Sequence, residues 1–218
     1  MPTSIRIANI TLAKGNHDDC DDPEGCLFEW YNLITRQVHT DDRPPGVSPV
    51  LHIYGMRLND ALADDRRQEL KRYLPNGADV LAGTADDGKD ETRSLIALDW
   101  LIRTHLPAWL DLAGLADSAR DVGALPRIDD RAAAETAGPV VRAAGDAAGD
   151  AAGAAAWAAA RAAAGDAAWD AARAAARDAA WAAARAAARD AAGAALDPTV
   201  KQLQASALLL VDRMIEAA

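Results

Sequence analysis

From Gly145 to Leu196 the chain is written in a four-residue repeat, and no other stretch restricts its fold as strongly. Nearly every fourth position is Gly, Trp or Arg, in a series that starts Gly145, Gly149, Gly153, Trp157, Arg161 and ends Arg185, Arg189, Gly193. The next position is often Asp, as at Asp146, Asp150, Asp166, Asp170, Asp178 and Asp190, and the rest is alanine. Alanine is the best helix former and arginine is close behind, so the repeat predicts helix over residues 154–196. The period carries a second message. Four residues turn an α-helix by ~400°, so the marked column drifts by ~40° per repeat. Trp157, Trp169 and Trp181 are spaced by twelve and would each be rotated by ~120° from the last. On one straight helix their indoles point three ways, and one neighbour cannot bury all three.

Asp197-Pro198 reads as a cap followed by proline, which predicts a new helix start and a hairpin. Val200, Leu203, Ala207, Leu210, Val211 and Met214 mark an amphipathic final helix. Leu203, Leu210 and Met214 are then expected to fold back on the alanine-rich helix. That final helix spans only ~30 Å, whereas 52 residues of helix span ~78 Å, so it cannot cover the whole arm. Alanine-rich faces let helices approach closely. Trp157, Trp169, Trp181, Leu203, Leu210 and Met214 are therefore the candidate interaction residues, with a protein partner or a second copy as occupant.

The first part of the chain is different in kind. Residues 1–139 hold 24 acids against 15 bases, while residues 140–196 hold six Asp and six Arg. An acidic body is repelled by phosphate backbones, so direct nucleic-acid binding is not expected. No run of ~18 apolar residues occurs, so no membrane span is expected. Met1 to Arg6 leads into no long apolar stretch, and the only cysteines are Cys20 and Cys26, which predicts a reducing, cytoplasmic setting.

Helical spacing of Leu27, Trp30, Tyr31 and Ile34 predicts a helix over 26–36. Ser48-Pro49 starts another, carrying Val50, Ile53, Tyr54, Leu58 and Leu62. Asp64 or Asp65 should cap the next. A helix follows from Asp90 to His105, Pro107 restarts the chain, Gly114 ends that piece, and a short helix runs from Asp117 to about Leu125. Residues 4–12 mix β-branched and polar residues and predict a short strand. The expected architecture is all-α: an acidic helical body over 1–126, then an alanine-rich arm with its C-terminal helix over 127–218. Trp30, Tyr54, Leu58, Leu98, Trp100, Leu101 and Trp109 are expected to form one core.

The N-terminal loop gathers His17, Cys20, Cys26, Glu29 and His39. Thiol, imidazole and carboxylate are the donors that zinc or another transition metal takes, so His17, Cys26, Glu29 and His39 form a candidate metal set. The spacing matches no standard structural zinc pattern and no calcium loop. There is no Gly-x-Ser-x-Gly elbow, phosphate loop or dinucleotide fingerprint, and no residue stands out as catalytic. His52 and His105 sit on apolar helices and read as satisfied structural histidines.

Several segments carry a likeness: Gly15-Asn16-His17, Gly25-Cys26-Leu27-Phe28-Glu29, His39-Thr40-Asp41, Ser48-Pro49-Val50, Leu58-Asn59-Asp60, Asp99-Trp100-Leu101-Ile102-Arg103-Thr104, Pro107-Ala108-Trp109-Leu110 and Ala113-Gly114-Leu115. Over residues 15–130 the chain resembles a family of uncharacterised alanine-rich helical proteins of actinobacteria and actinophages. Members carry similar alanine-rich tails, and the resemblance implies no activity. The family's histidine lies in a His-Ser-Asp-His-Pro-like stretch followed by a cysteine. Here that stretch reads His39-Thr40-Asp41-Asp42-Arg43-Pro44, with Gly46 at the cysteine position, so two further ligands are missing. The sequence thus points to a non-enzymatic, self-associating helical interaction module. A metal-dependent enzyme built on His17, Cys26, Glu29 and His39 is the alternative.

Overall fold

Helix starts are where this sequence speaks most locally, and two of them organise the first hundred residues. Cys26 opens α1 (Leu27–Arg36) with a reciprocal cap: its sulfur accepts from Glu29 N–H while the Glu29 carboxylate accepts from Cys26 N–H. Ser48 opens α2 (Pro49–Ala61), its hydroxyl accepting from Val50 N–H at 3.2 Å and Leu51 N–H at 3.4 Å, with proline at the first helical position. The computed structural model describes residues 6–15, 17, 24–166 and 174–217, with backbone alone between positions 152 and 192.

The chain is predominantly α-helical. After α2 come the short α3 (Asp64–Arg67), α4 (Asp90–Trp100), α5 (Leu106–Leu112), α6 (Ala116–Gly123), α7 (Arg131–Asp166) and α8 (Ala174–Ile215). A 3-10 turn at Ile7–Asn9 leads into β1 (Thr11–Leu12), which pairs in parallel with β2 (Glu24–Gly25). The strand expected over 4–12 is therefore only two residues long among those described. Its other edge is finished by a side chain: Gln68 accepts from Leu12 N–H at 3.0 Å and donates to Leu12 C=O at 2.8 Å. Gln68 is thus spent on the strand, and α3 begins after Ala63 without the expected aspartate cap.

The chain separates into two compact units, Met1–Leu98 with Gln204–Ala218, and Asp99–Leu203. This division differs from the compositional one at 126. The final residues belong with the N-terminal body, and residues 99–126 group with the alanine-rich part.

The first unit packs α1 against α2 at a glycine. A Cβ on Gly55 would lie 2.9 Å from Phe28 Cε2 and 3.4 Å from Leu27 Cδ2, so only glycine admits this approach. Leu27, Phe28, Tyr31, Leu51, Leu58, Leu62, Leu70 and Leu74 fill the interior together with Leu208, Leu210, Val211 and Met214 from the end of α8. Tyr54 donates to Ala207 C=O at 3.3 Å, Gln204 to Ala61 C=O at 3.2 Å, and Tyr73 to Asp212 at 2.7 Å, which fixes the register of that helix end.

In the second unit, Gly114 (φ +77°) ends α5, and α5 and α6 pack side by side. The buried Asp99 carboxylate accepts from Ile128 N–H at 2.9 Å and Arg103 at 3.1 Å, pinning the turn before α7. Asp130 caps α7 through Ala133 N–H at 2.7 Å.

Three expectations are corrected. Asp197-Pro198 starts no new helix, because α8 runs unbroken from Ala174 to Ile215 with Pro198 inside it. Asp197 makes an i,i+4 ion pair with Lys201 at 2.7 Å instead of opening a hairpin. Pro107 does not restart the chain either. Leu101–His105 forms a π-turn that leads directly into α5. Leu101 is not a core residue. Of the residues expected in one core, Trp30, Tyr54, Leu58 and Leu98 belong to the first unit and Trp100, Leu101 and Trp109 to the second, and Leu101 is 48% exposed. A π-turn carries an additional residue and shifts the helical phase, so Ile102 rather than Leu101 faces inward.

Candidate functional site

The start of α1 brings together three of the four residues that the sequence nominates for metal. Glu29 is fully buried. Its Oε1 accepts from His17 N–H at 2.7 Å; its Oε2 accepts from Cys26 N–H at 2.6 Å and lies 3.0 Å from His17 Nδ1. Burial works against the charge, but the N–H groups of His17 and Cys26 and the His17 imidazole outweigh it and hold the carboxyl below its ordinary range. Cys26 is a free, buried thiol. Burial, reinforced by the neighbouring Glu29 carboxylate, pushes it up to about 12. A thiolate is the form that attacks or ligates, so this sulfur is held in its inert form and serves as a helix cap.

His39 follows α1 and joins no group of three possible ligands among the described residues. Cys20 lies outside the described residues. Among the described residues no group of three His, Cys, Asp or Glu side chains is placed to hold a metal ion. Each Glu29 oxygen already receives one backbone N–H group. In the described geometry the candidate ligand cluster makes a hydrogen-bonded loop anchor. The signal that distinguishes the two was present: Cys26-x-x-Glu29 has the spacing of a capping box with sulfur in the serine position.

A second cluster has no forecast in the sequence. Arg93 is 0% exposed. It donates to Thr84 C=O at 3.0 Å, Met214 C=O at 3.0 Å and Asp87 Oδ1 at 2.8 Å, and pairs with Asp90 at 3.3 Å. Asp90 also accepts from the Ser48 hydroxyl, and Thr84 Oγ1 accepts from Ser48 N–H at 2.9 Å. The Arg93 guanidinium draws the Asp87 carboxyl down to about 2. One arginine therefore joins the α2 start, the 84–90 loop and the last carbonyls of α8, where a cation also suits the helix dipole. Asp87 and Asp90 of this loop are both ion-paired with Arg93.

Near that helix end an open depression of about 230 Å³ is lined by Arg72, Tyr73, Val80, Asp212, Ile215 and Glu216. Arg72 is already paired with Asp212 at 2.9 Å. Its volume is below the usual range for ligand sites, about 300–1,000 Å³.

The interaction residues separate into two groups. Leu203 is 6% exposed, and Leu210 and Met214 are 0% exposed, so all three are interior. Leu210 and Met214 are core residues of the first unit. Trp169 and the side chains of Trp157 and Trp181 lie outside the described residues. Both histidines expected to be structural are satisfied. His52 Nε2 lies 2.8 Å from Asp41 C=O and its ring meets Phe28 edge-on, while His105 accepts from Trp109. No helix among the described residues is long and apolar enough to cross a membrane. Comparison with family models, curated proteins and solved structures gives no match for this chain.

Proposed function

We propose that this chain is a non-enzymatic helical assembly module that associates with further copies of itself through its alanine-rich helices. One observation carries the reading. Gly138, Gly145, Gly149 and Gly193 all lie inside long helices, and a Cβ added at any of them would meet nothing within 4 Å. A glycine inside a helix costs about 0.5–1 kcal/mol relative to alanine. At Gly55 that cost admits a neighbouring helix; at these four positions no described residue stands as a neighbour. A second helix approaching closely would use them. Gly145 and Gly149 are spaced by four, the interval at which small residues let two helix backbones meet.

Two further facts support the same partner. The residues that were to cover the arm, Leu210 and Met214, are already committed to a core. Residues 140–196 balance six Asp against six Arg, so a second copy of this segment meets no net repulsion. Trp157, Trp169 and Trp181 are the bulky anchors that alanine lacks.

The experiment is sedimentation equilibrium of the full chain from about 5 to 500 μM, with Gly149→Leu beside it. The expected result is a mass above the monomer for the wild type. The variant should remain monomeric with its helical circular dichroism undiminished, because no described residue lies within 4 Å of the added Cβ. A wild type that stays monomeric at 500 μM overturns the reading, as does a Gly149→Leu protein that associates equally well.

A further inference from the structure

The helical run Asp99–Leu112 passes through a proline without stopping, and the way it does so places a titratable group at its weakest point. Pro107 has no N–H to give to the carbonyl of Arg103, and its ring crowds that carbonyl. The chain relieves the crowding with the π-turn Leu101–His105, closed by Leu106 N–H donating to Leu101 C=O. One rung of the backbone ladder is still missing. Across that gap a side-chain bond is made: Trp109 Nε1–H donates to His105 Nε2 at 3.2 Å, from one side of the proline to the other. The His105 ring is flanked by Trp100 at 5.2 Å and Trp109 at 6.1 Å between centroids.

An indole nitrogen only donates, so His105 Nε2 must accept, and the imidazole must be neutral with its proton on Nδ1. We propose that His105 is a pH-sensitive staple: neutral, it bridges the Pro107 break through Trp109; protonated, it presents N–H to N–H, the bridge opens, and the run hinges at the π-turn. The charged groups on the elements packed around it are few. Asp99 and Arg103 on the same run are paired with each other, and Asp111 lies on α5. On α6, Asp117, Arg120 and Asp121 pair among themselves at the surface. None of them offsets the burial that lowers the imidazole below its ordinary value. The neutral, stapled form is therefore favoured at neutral pH, and its contribution is lost as pH falls below the unfolded-state value of about 6.5. Once charged, the ring retains only the attraction of the two indole faces, which does not require the Trp109 N–H to point at it.

The test is a heteronuclear NMR titration of the indole N–H signals of the full chain from pH 7.5 to 5, with Trp109→Phe used to assign the Trp109 peak. The expected result is a Trp109 peak that shifts with a midpoint below 6.5. Backbone amides of residues 105–110 should exchange at least threefold faster at pH 5 than at 7.5, after correction for intrinsic rates. In His105→Gln, whose amide oxygen accepts the same bond and does not titrate, the peak should stay fixed. A wild-type Trp109 peak and 105–110 exchange that do not respond to pH overturn the staple even if the variant fails to fold. A response equally large in a folded His105→Gln protein overturns it too, since another group would then be its source.

Discussion

In the first unit, helix ends and loops are tied by side chains that reach far along the sequence. Arg93 holds Met214 C=O, Asn59 receives Leu27 N–H and donates to Ala13 C=O, and buried Asn32 donates to the carbonyls of Thr40 and Asp42. In α7 the described order comes from the backbone itself. Alanine supplies the propensity, Asp130 the cap, and Ala137 and Ala144 are its buried side chains over the described stretch. One region is specified by particular polar partners, each expensive to remove. The other is specified by an average preference that tolerates almost any single change. Four substitutions probe that contrast, in falling order of effect.

Arg93→Ala should be the most damaging, costing about 3–5 kcal/mol, because it strips one buried guanidinium from two carboxylates and from the carbonyls of Thr84 and Met214 together. Urea unfolding followed by circular dichroism measures it. A loss below 1 kcal/mol would mean that solvent replaces the arginine and that the first unit is not built on this hub.

Gly55→Ala should follow at about 2 kcal/mol. The new methyl meets the Phe28 ring at 2.9 Å, and that ring is itself buried against His52, so it has no easy retreat. Thermal unfolding is the check, and an unchanged midpoint would show that α1 and α2 are free to separate.

Much of this was readable beforehand. The start of α2 was legible because a cap is a local signal, Ser48-Pro49, while α1 was legible from the helical spacing of Leu27, Trp30, Tyr31 and Ile34 and its Cys26-x-x-Glu29 cap went unread. The alanine helices were legible because propensity adds up over a long run. Pro198 was not, because Asp-Pro reads the same at a helix start and within a continuing helix. What decides between them is the burial of Leu208, Leu210, Val211 and Met214 in a core assembled from residues more than a hundred positions away. Arg93 was illegible for a similar reason, since nothing near it in sequence marks a buried cation. The His17, Cys26 and Glu29 grouping was found, but its role was not. Composition names donors, whereas only geometry shows that the Glu29 oxygens are already taken by N–H groups.

Glu29→Gln tests that role and should cost about 1–2 kcal/mol at pH 7, since one amide oxygen cannot receive what two carboxylate oxygens receive, and the amide N–H₂ would face a donor. Its pH dependence has a definite sign. The folded carboxyl is held below its unfolded value, so its contribution is complete above about 4.3 and is lost as pH falls through that value towards the folded one. Wild-type stability should therefore drop more steeply than that of Glu29→Gln between pH 5 and 3. Parallel curves over that interval would remove Glu29 from the account of acid sensitivity.

The smallest effect is the most discriminating, because it repeats the Gly55 substitution in the other region and should reverse its sign. Gly149 lies within α7, is exposed, and has open space where a Cβ would point. Gly149→Ala therefore adds no clash and removes the backbone entropy that glycine loses on becoming helical. It should stabilise helix by about 0.5–1 kcal/mol, read as greater ellipticity at 222 nm on heating. The measurement belongs at low micromolar concentration, so that gain in the lone chain is not mixed with loss of a contact between copies. At high concentration the two effects oppose each other. A methyl group that helps the isolated helix also holds off a closely approaching one, so the gain should shrink as concentration rises. A gain that is the same at every concentration would mean that nothing approaches Gly149, and that the glycines of the arm stand where they do for no packing reason. A loss at low concentration would mean that α7 already has a close neighbour within its own chain at that position, and the contrast between the two regions would fail there.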